Sequence, residues 1–277
     1  MFSGSFQRGA VMWIRKFAGT LALAVPLHGI AEEAKKMQDN SFLLEEAYNQ
    51  EAGVVQHIQS FIYLKKSKDW VYTFAQEWPF PDETHQLSYT IPVVKLTDPS
   101  NASGLGDIAL NYRYQAILKD RIALAPRLSA ILPTGDYRKG HGTGAVGIQT
   151  DIPLSVELSD RFVTHRNLGA TYTAHGKEPG GASANMTGIN YGASLIYLST
   201  ENLNFMLEAA GTTSEVVQPD GSKLREKTFF INPGVRFASN YSSGLQIVPG
   251  ISIPIGIGPS AGKYGILFYL SFEHPFR

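Results

Sequence analysis

The stretch Ile108-Ala-Leu-Asn-Tyr-Arg-Tyr-Gln115 decides the fold. Ile108, Leu110, Tyr112 and Tyr114 alternate with Ala109, Asn111, Arg113 and Gln115, so one face is greasy and the other polar. Such a period of two belongs to a strand with an apolar medium on one side and a polar one on the other. The pattern recurs from Gly53 to the C-terminus, and its spacing predicts twelve strands: 53–64, 70–78, 85–94, 106–118, 121–132, 145–158, 161–174, 184–198, 202–213, 227–237, 244–257 and 264–276. In the second, Trp70, Tyr72, Phe74 and Trp78 oppose Thr73 and Glu77. In the ninth, Leu203, Phe205 and Leu207 oppose Asn204 and Glu208. In the eleventh, Ile247, Ile251, Ile253, Ile255 and Ile257 oppose Gln246, Gly250 and Ser252. The parity of the first strand stays open, since Val54/Ile58/Ile62 and Val55/Phe61/Tyr63 both make an apolar face.

These strands are too long for a soluble sandwich, where ~5–6 residues is usual. A tilted strand crossing a bilayer needs ~9–11 residues. In hydrocarbon every unpaired backbone N–H or C=O costs several kcal/mol, so a sheet there must close on itself. The fold class is therefore all-β: a single transmembrane antiparallel up-and-down barrel of about twelve strands. Connection lengths point the same way. The third, fifth, seventh and ninth take 11, 12, 9 and 13 residues, whereas the fourth, sixth and eighth take 2, 2 and 3. Tight turns at one end and loops at the other are the habit of outer-membrane barrels. The turns Lys119-Asp120, Ser159-Asp160 and Ser199-Thr200-Glu201 share the periplasmic side with both termini.

Composition excludes much else. The 277 residues hold no cysteine, so there is no disulfide scaffold, thiolate metal site or cysteine nucleophile. Lys and Arg number 24 against 24 Asp and Glu, which gives no basic footprint for nucleic acid. Charged residues make up 17%, against roughly 25% in a soluble domain. Neither a cofactor nor a metal is expected. His141 and Asp136 in the Gly-rich loop Pro133–Gly144 are two ligands at most, the phosphate-cradle pattern is missing, and a flexible external loop is expected there.

The N-terminus has the three parts of an export signal. Arg8, Arg15 and Lys16 precede an apolar run from Phe17, and small residues stand at Gly29 and Ala31. The expected organisation is a signal peptide at 1–31, a periplasmic or plug-like segment at 32–52 and the barrel at 53–277. Residues 32–51 are rich in charge, and Phe42, Leu43, Leu44, Ala47 and Tyr48 could form one helical stripe; a short helix or an ordered coil is expected there, ahead of a small plug or partner-binding arm.

If the greasy parity meets lipid, the other parity lines the lumen. The candidates there are Asn111, Arg113, Gln115, Arg127, Gln149, Asp151, Glu157, His165, Asn167, Glu208, Asn232, Arg236 and Glu273. Charges of both signs in a narrow space should pair, because unpaired buried charge is costly. The lumen is then braced by Arg113, Arg127, Arg236 and their carboxylates, or forms a constriction of mixed polarity. His165 and Asn167 share a parity, the nearest approach to the His, Ser and Asn of an outer-membrane lipid hydrolase, but no serine stands at matching spacing and no catalytic residue is expected.

Four motifs occur in order: Phe42-Leu-Leu-Glu-Glu-Ala-Tyr-Asn-Gln-Glu51 with Val54-Val-Gln-His-Ile-Gln59, Gly104-Leu-Gly-Asp-Ile108, Leu132-Pro-Thr-Gly-Asp136 and His165-Arg-Asn-Leu-Gly169. Together they resemble bacterial outer-membrane barrels of the phenol meta-cleavage-pathway "transporter" family. The resemblance implies a single-domain barrel in the outer membrane, related in kind to small barrels that pass hydrophobic compounds, and it transfers no ligand-binding residue. The last strand ends Phe268, Leu270, Phe272, Phe276 on one parity. That ending looks like the signature read by the barrel-assembly machinery, except that Arg277 follows Phe276. The expected partners are outer-membrane lipid, a small solute and that machinery, with no nucleic acid. The leading expectation is passive passage of small, hydrophobic or aromatic molecules. A non-conducting structural or adhesion barrel is the alternative, ahead of a lipid hydrolase or a soluble secreted β-protein.

Overall fold

The computed structural model describes residues 39–276, so the expected signal at 1–31 lies outside the described residues. Twelve antiparallel strands form one closed wall. They are β1 (Val54–Leu64), β2 (Trp70–Pro79), β3 (His85–Leu96), β4 (Ala102–Leu105, Ile108–Tyr114 and Ile117–Lys119), β5 (Ile122–Leu124 and Arg127–Leu132), β6 (Gly147–Asp151 and Leu154–Ser159), β7 (Phe162–Lys177), β8 (Ser183–Thr200), β9 (Leu203–Val217), β10 (Lys223–Phe237 with Ser239–Asn240), β11 (Gln246–Ser252 and Ile255–Gly256) and β12 (Gly265–Pro275). Each pairs with the next, and β12 returns to β1 in an unbroken register from Val54 opposite Pro275 to Leu64 opposite Gly265. No edge is left to meet lipid, which is the condition a spanning sheet has to satisfy.

The alternation read in the sequence maps onto the wall. In β4, Leu110, Tyr112 and Tyr114 are exposed on the outside while Asn111 and Arg113 are buried within. In β1 the open question is settled: Ile58 is buried against Phe42 and Tyr269, whereas Phe61 lies outside against Trp70. Rings gather on the outer surface, with His57 stacked on Phe272 and Phe162 beside Tyr197.

Two expectations need correction. Four strands expected to be continuous are interrupted, and three of the breaks fall at Pro126, Pro153 and Pro254. Proline brings no N–H to the ladder. The carbonyls still serve, as Tyr114 donates to Pro126 at 3.0 Å, Ala125 to Pro153 at 3.1 Å and Gly265 to Pro254 at 3.0 Å. The fourth strand breaks instead at Gly106-Asp107 and again at Gln115-Ala116. The loops expected after the seventh and ninth strands are short turns at 178–182 and 218–222, because β7 to β10 run on beyond the length a bilayer requires.

The Gly-rich connection is also more structured than a free external loop. It carries a 3-10 turn, Tyr137–Lys139, capped by Asp136. The Asp107 carboxylate accepts from the N–H of Gly135 at 3.0 Å, the N–H of Thr143 at 2.8 Å and the Thr143 hydroxyl at 3.0 Å. Thr134 donates its hydroxyl to the Gly106 carbonyl at 2.7 Å. The second and third sequence motifs thus tie one another down at the loop end of the wall.

Candidate functional site

Residues 39–50 lie inside the wall, near the end where β1 begins and β12 ends. They form no helix; the chain bends at 42–44 and at 47 and runs round the inner surface as a collar. A helix would satisfy each N–H with its own carbonyls. Here the N–H groups are taken by inward side chains of the wall, on alternate residues as in a strand. Leu43 donates to Glu208 at 2.8 Å, Glu45 to Asn167 at 2.7 Å, Ala47 to the Ser155 hydroxyl at 2.8 Å and Asn49 to Gln115 at 2.8 Å. Gln50 follows, donating to Gln86 at 2.8 Å. Two wall amides answer in return, Asn167 donating to the Glu45 carbonyl at 3.0 Å and Gln115 to the Ala47 carbonyl at 2.8 Å. Each such bond is worth roughly 0.5–1.5 kcal/mol net, and more is lost if a buried partner is left alone.

Two arginines clamp the collar by its backbone. Arg236, 2% exposed, donates to the carbonyls of Asp39 at 2.8 Å and Asn40 at 2.7 Å. Arg113 donates to the carbonyls of Tyr48 at 2.5 Å and Glu46 at 3.2 Å and to the Asn49 side chain at 3.0 Å. The expected bracing by carboxylates is only part of the arrangement: Arg127 pairs with Glu45 of the collar at 3.0 Å and Arg113 stands 3.7 Å from Glu77, but the shortest bonds of Arg113 and Arg236 go to backbone carbonyls. The physical reason is that a strand-like segment brought in without a neighbouring strand has carbonyls to satisfy, and a guanidinium fork reaches two at once. Asp39 is further fixed by the Tyr269 hydroxyl at 2.6 Å and Gln56 at 3.0 Å.

The remaining lumen candidates fall into place around this ring. Asn232 donates to Glu208 at 2.6 Å, supporting the carboxylate that receives Leu43. Asn111 and Gln149 both accept from Arg127, at 3.3 and 3.0 Å. Asp151 accepts from Asn190 at 3.0 Å. Glu157 and Glu273 are half-buried in β6 and β12. His165, 2% exposed, holds its Nδ1 2.7 Å from the Ser155 hydroxyl. This serine comes from the neighbouring strand, ten residues before the histidine, on the parity that the sequence assigns to the lumen with Gln149, Asp151 and Glu157. Gln56, Glu77 and Gln86 were missed. Glu77 already shares a parity with Thr73 in the sequence pattern, and that was the signal available.

The lumen has an apolar part as well. Phe42 meets Tyr269 edge-on at 5.6 Å and packs with Ile58, Met206 and Leu267. Glycines make room for it: a methyl group on Gly250 would sit 2.5 Å from the Phe42 ring, and one on Gly192 would sit 2.5 Å from Leu44. Gly250→Val should therefore dislodge Phe42 and cost about 1–3 kcal/mol, the usual range for overpacking. Chemical denaturation of the purified barrel checks this; unchanged stability would mean the notch is not needed.

Burial raises the carboxyl of Glu46, a collar residue in no membrane-crossing strand, well above the ordinary range, and Asp39 nearby adds to the shift. The docked collar then favours the protonated carboxyl more than a released collar does. Docking is strongest at acid pH and weakens as pH rises above the usual Glu value. Conductance measured from pH 5 to pH 9 should rise with pH, and Glu46→Gln should flatten that rise. A flat profile in the unaltered protein would contradict the assignment.

Between the collar and β1 to β5 lies a cavity of about 190 Å³. Its floor is Phe42, Leu43 and Ile58, and its wall carries Ser60, Thr73, Ser88, Thr90, Asn111 and Arg127. The hydroxyls are linked, Ser60 to Thr73 at 2.6 Å and Asn111 to Ser88 at 3.1 Å. At ~30 Å³ per water the space holds roughly six waters or one small solute.

Comparison with known proteins agrees with this architecture. The fold is similar to the COG4313 outer membrane channel from Pseudomonas putida F1, at 16% identity and a TM-score of 0.60, over 83% of this chain and 98% of that one. It is also similar to the NanC porin, at 7% identity and a TM-score of 0.53, over 80% of this chain and 99% of that one. No match is found among curated proteins. The closed wall with its lipid-facing side chains is that of a bacterial outer-membrane barrel. Residues 40–253, from the collar to the eleventh strand, match the family described as "Putative MetA-pathway of phenol degradation", and the chain belongs to that family.

Proposed function

We propose that the protein is a passive outer-membrane channel for small molecules, and that the collar sets its constriction. The cavity is the observation that carries this reading. It is the space left where collar and wall fail to touch, it has a greasy floor and a hydroxyl-lined wall, and its charges balance, Arg113 and Arg127 against Glu45 and Glu77. A balanced field gives an ion of either sign no advantage, whereas a neutral solute with an apolar body and a few hydrogen-bonding groups meets both surfaces. Export by a signal at residues 1–31 and insertion by the barrel-assembly machinery through the strand ending at Phe276 complete the reading.

The closest rival is a non-conducting barrel, favoured by the number of bonds that hold the collar. Planar-bilayer recording with solute uptake into proteoliposomes decides between them. Uptake of small neutral solutes above that of empty liposomes is expected; a barrel that neither conducts nor speeds uptake belongs to the rival. A hydrolase is not supported. Ser155 is fully buried, its hydroxyl is engaged by Ala47 as well as His165, and the collar covers the pair.

A further inference from the structure

We propose that the outer face of β10 at its loop end seats the phosphate groups of an outer-leaflet lipid. The outward parity of this strand reads Lys223, Arg225, Lys227, then Phe229, Ile231, Pro233, Val235, Phe237. The apolar run from Phe229 to Phe237 extends about 26 Å along the strand at ~3.3 Å per residue. With a tilt of ~35–45° that is about 20 Å of depth, close to the ~25 Å apolar band of such barrels. The switch from phenylalanine to lysine therefore falls where hydrocarbon gives way to headgroups. Three cations stacked on every second residue at that level face lipid headgroups sideways.

The neighbouring strands hold two of these cations in place. The Glu215 carboxylate of β9 lies 3.0 Å from the Lys223 amine and 3.0 Å from the Arg225 guanidinium. It is itself fixed by Thr187 of β8, whose N–H donates at 2.9 Å and whose hydroxyl donates at 2.8 Å. Arg225 also donates to the Thr187 hydroxyl at 3.2 Å. One carboxylate thus orders two cations and neutralises only one. Asp220, in the turn above, is occupied by the Ser222 N–H and hydroxyl. Lys227 has no ion pair among the described residues. The site keeps an excess of positive charge, arranged in advance, at the level of anionic headgroups. A phosphate is the group that matches it, because guanidinium and ammonium donors bind phosphate oxygens by short charge-assisted bonds.

Native mass spectrometry of the purified barrel tests the site. Micelles are doped with bisphosphorylated lipid A, with its dephosphorylated form, or with inorganic phosphate. The unaltered protein should retain the bisphosphorylated lipid about a hundredfold more than a K223Q/R225Q/K227Q variant, given the worth of each basic residue near an anionic surface. Glu215→Gln, which keeps all three cations and removes their counter-charge, should retain it more strongly than the unaltered protein. The three cations are exposed on the wall and Glu215→Gln is nearly isosteric, so both variants should keep heat-modifiable migration; if the triple variant does not fold, the Glu215→Gln result decides. Equal retention of the dephosphorylated lipid, equal retention by the triple variant, or weaker retention by Glu215→Gln would overturn the proposal. Displacement of the lipid by an equal concentration of inorganic phosphate would show a free-anion site and overturn the lipid assignment.

Discussion

Deleting residues 39–51 should leave a folded barrel whose conductance is severalfold higher. The wall does not depend on the collar for its hydrogen bonds, since all twelve strands pair with one another and β1 closes on β12. What the deletion uncovers is mostly polar: Gln86, Gln115, Ser155, Asn167 and Glu208 would turn from collar N–H groups to water. Hydration replaces a hydrogen bond at little net cost, whereas an unmet buried group is expensive. The exception is the apolar patch around Ile58, Met206 and Leu267, which loses Phe42 and should lower stability modestly. Single-channel recording together with heat-modifiable migration gives both readings at once. A folded deletion variant that conducts no better than the full chain would show that the constriction lies elsewhere.

Replacing Arg113 and Arg236 together by Ala should release the collar without removing it. Arg236 holds the start of the segment, at Asp39 and Asn40, and Arg113 holds its later part, at Glu46 and Tyr48. Both guanidinium groups are buried, and each collar carbonyl left without its donor costs about 1–3 kcal/mol. The Asp39 carboxylate, 1% exposed, would keep Tyr269 and Gln56 but lose the positive charge beside it. Undocking relieves that cost, so the expected result is a leaky channel with fluctuating conductance. Either single change should be milder, because the other clamp still tethers one end. Recording the open probability of the three variants checks the order. A double variant as tight and as stable as the unaltered protein would remove the clamps from the account.

The wall was legible because two solvents write on it. Lipid outside and polar groups within impose a period of two, so Ile108 to Gln115 reveals β4 from its letters alone. The breaks were less visible: Pro126, Pro153 and Pro254 can be read, but whether a strand survives across them depends on carbonyls of the next strand. The collar was hardest. Its bonds join residues as far apart as Leu43 and Glu208, and they run from backbone to side chain, so no periodicity in either segment announces them. The stripe of Phe42, Leu43, Leu44, Ala47 and Tyr48 suggested a helix because hydrophobic spacing records burial and not the partner of each N–H. In β1 the two parities were equally greasy for a related reason: Ile58 faces inward, onto a phenylalanine that the collar delivers.

The route of residues 39–52 bears on the order of biogenesis. The segment is synthesised before any strand, yet its partners reach from Gln56 in the first strand to Tyr269 in the last. It has no seat until the final hairpin is complete and the circle shut. An empty cylinder must therefore precede the filled one, with residues 39–52 waiting outside it, tied to the first strand by a single short joint. That tether keeps its local concentration high, and entry becomes an intramolecular step. Whatever helps the cylinder shut has to release it before the lumen is occupied.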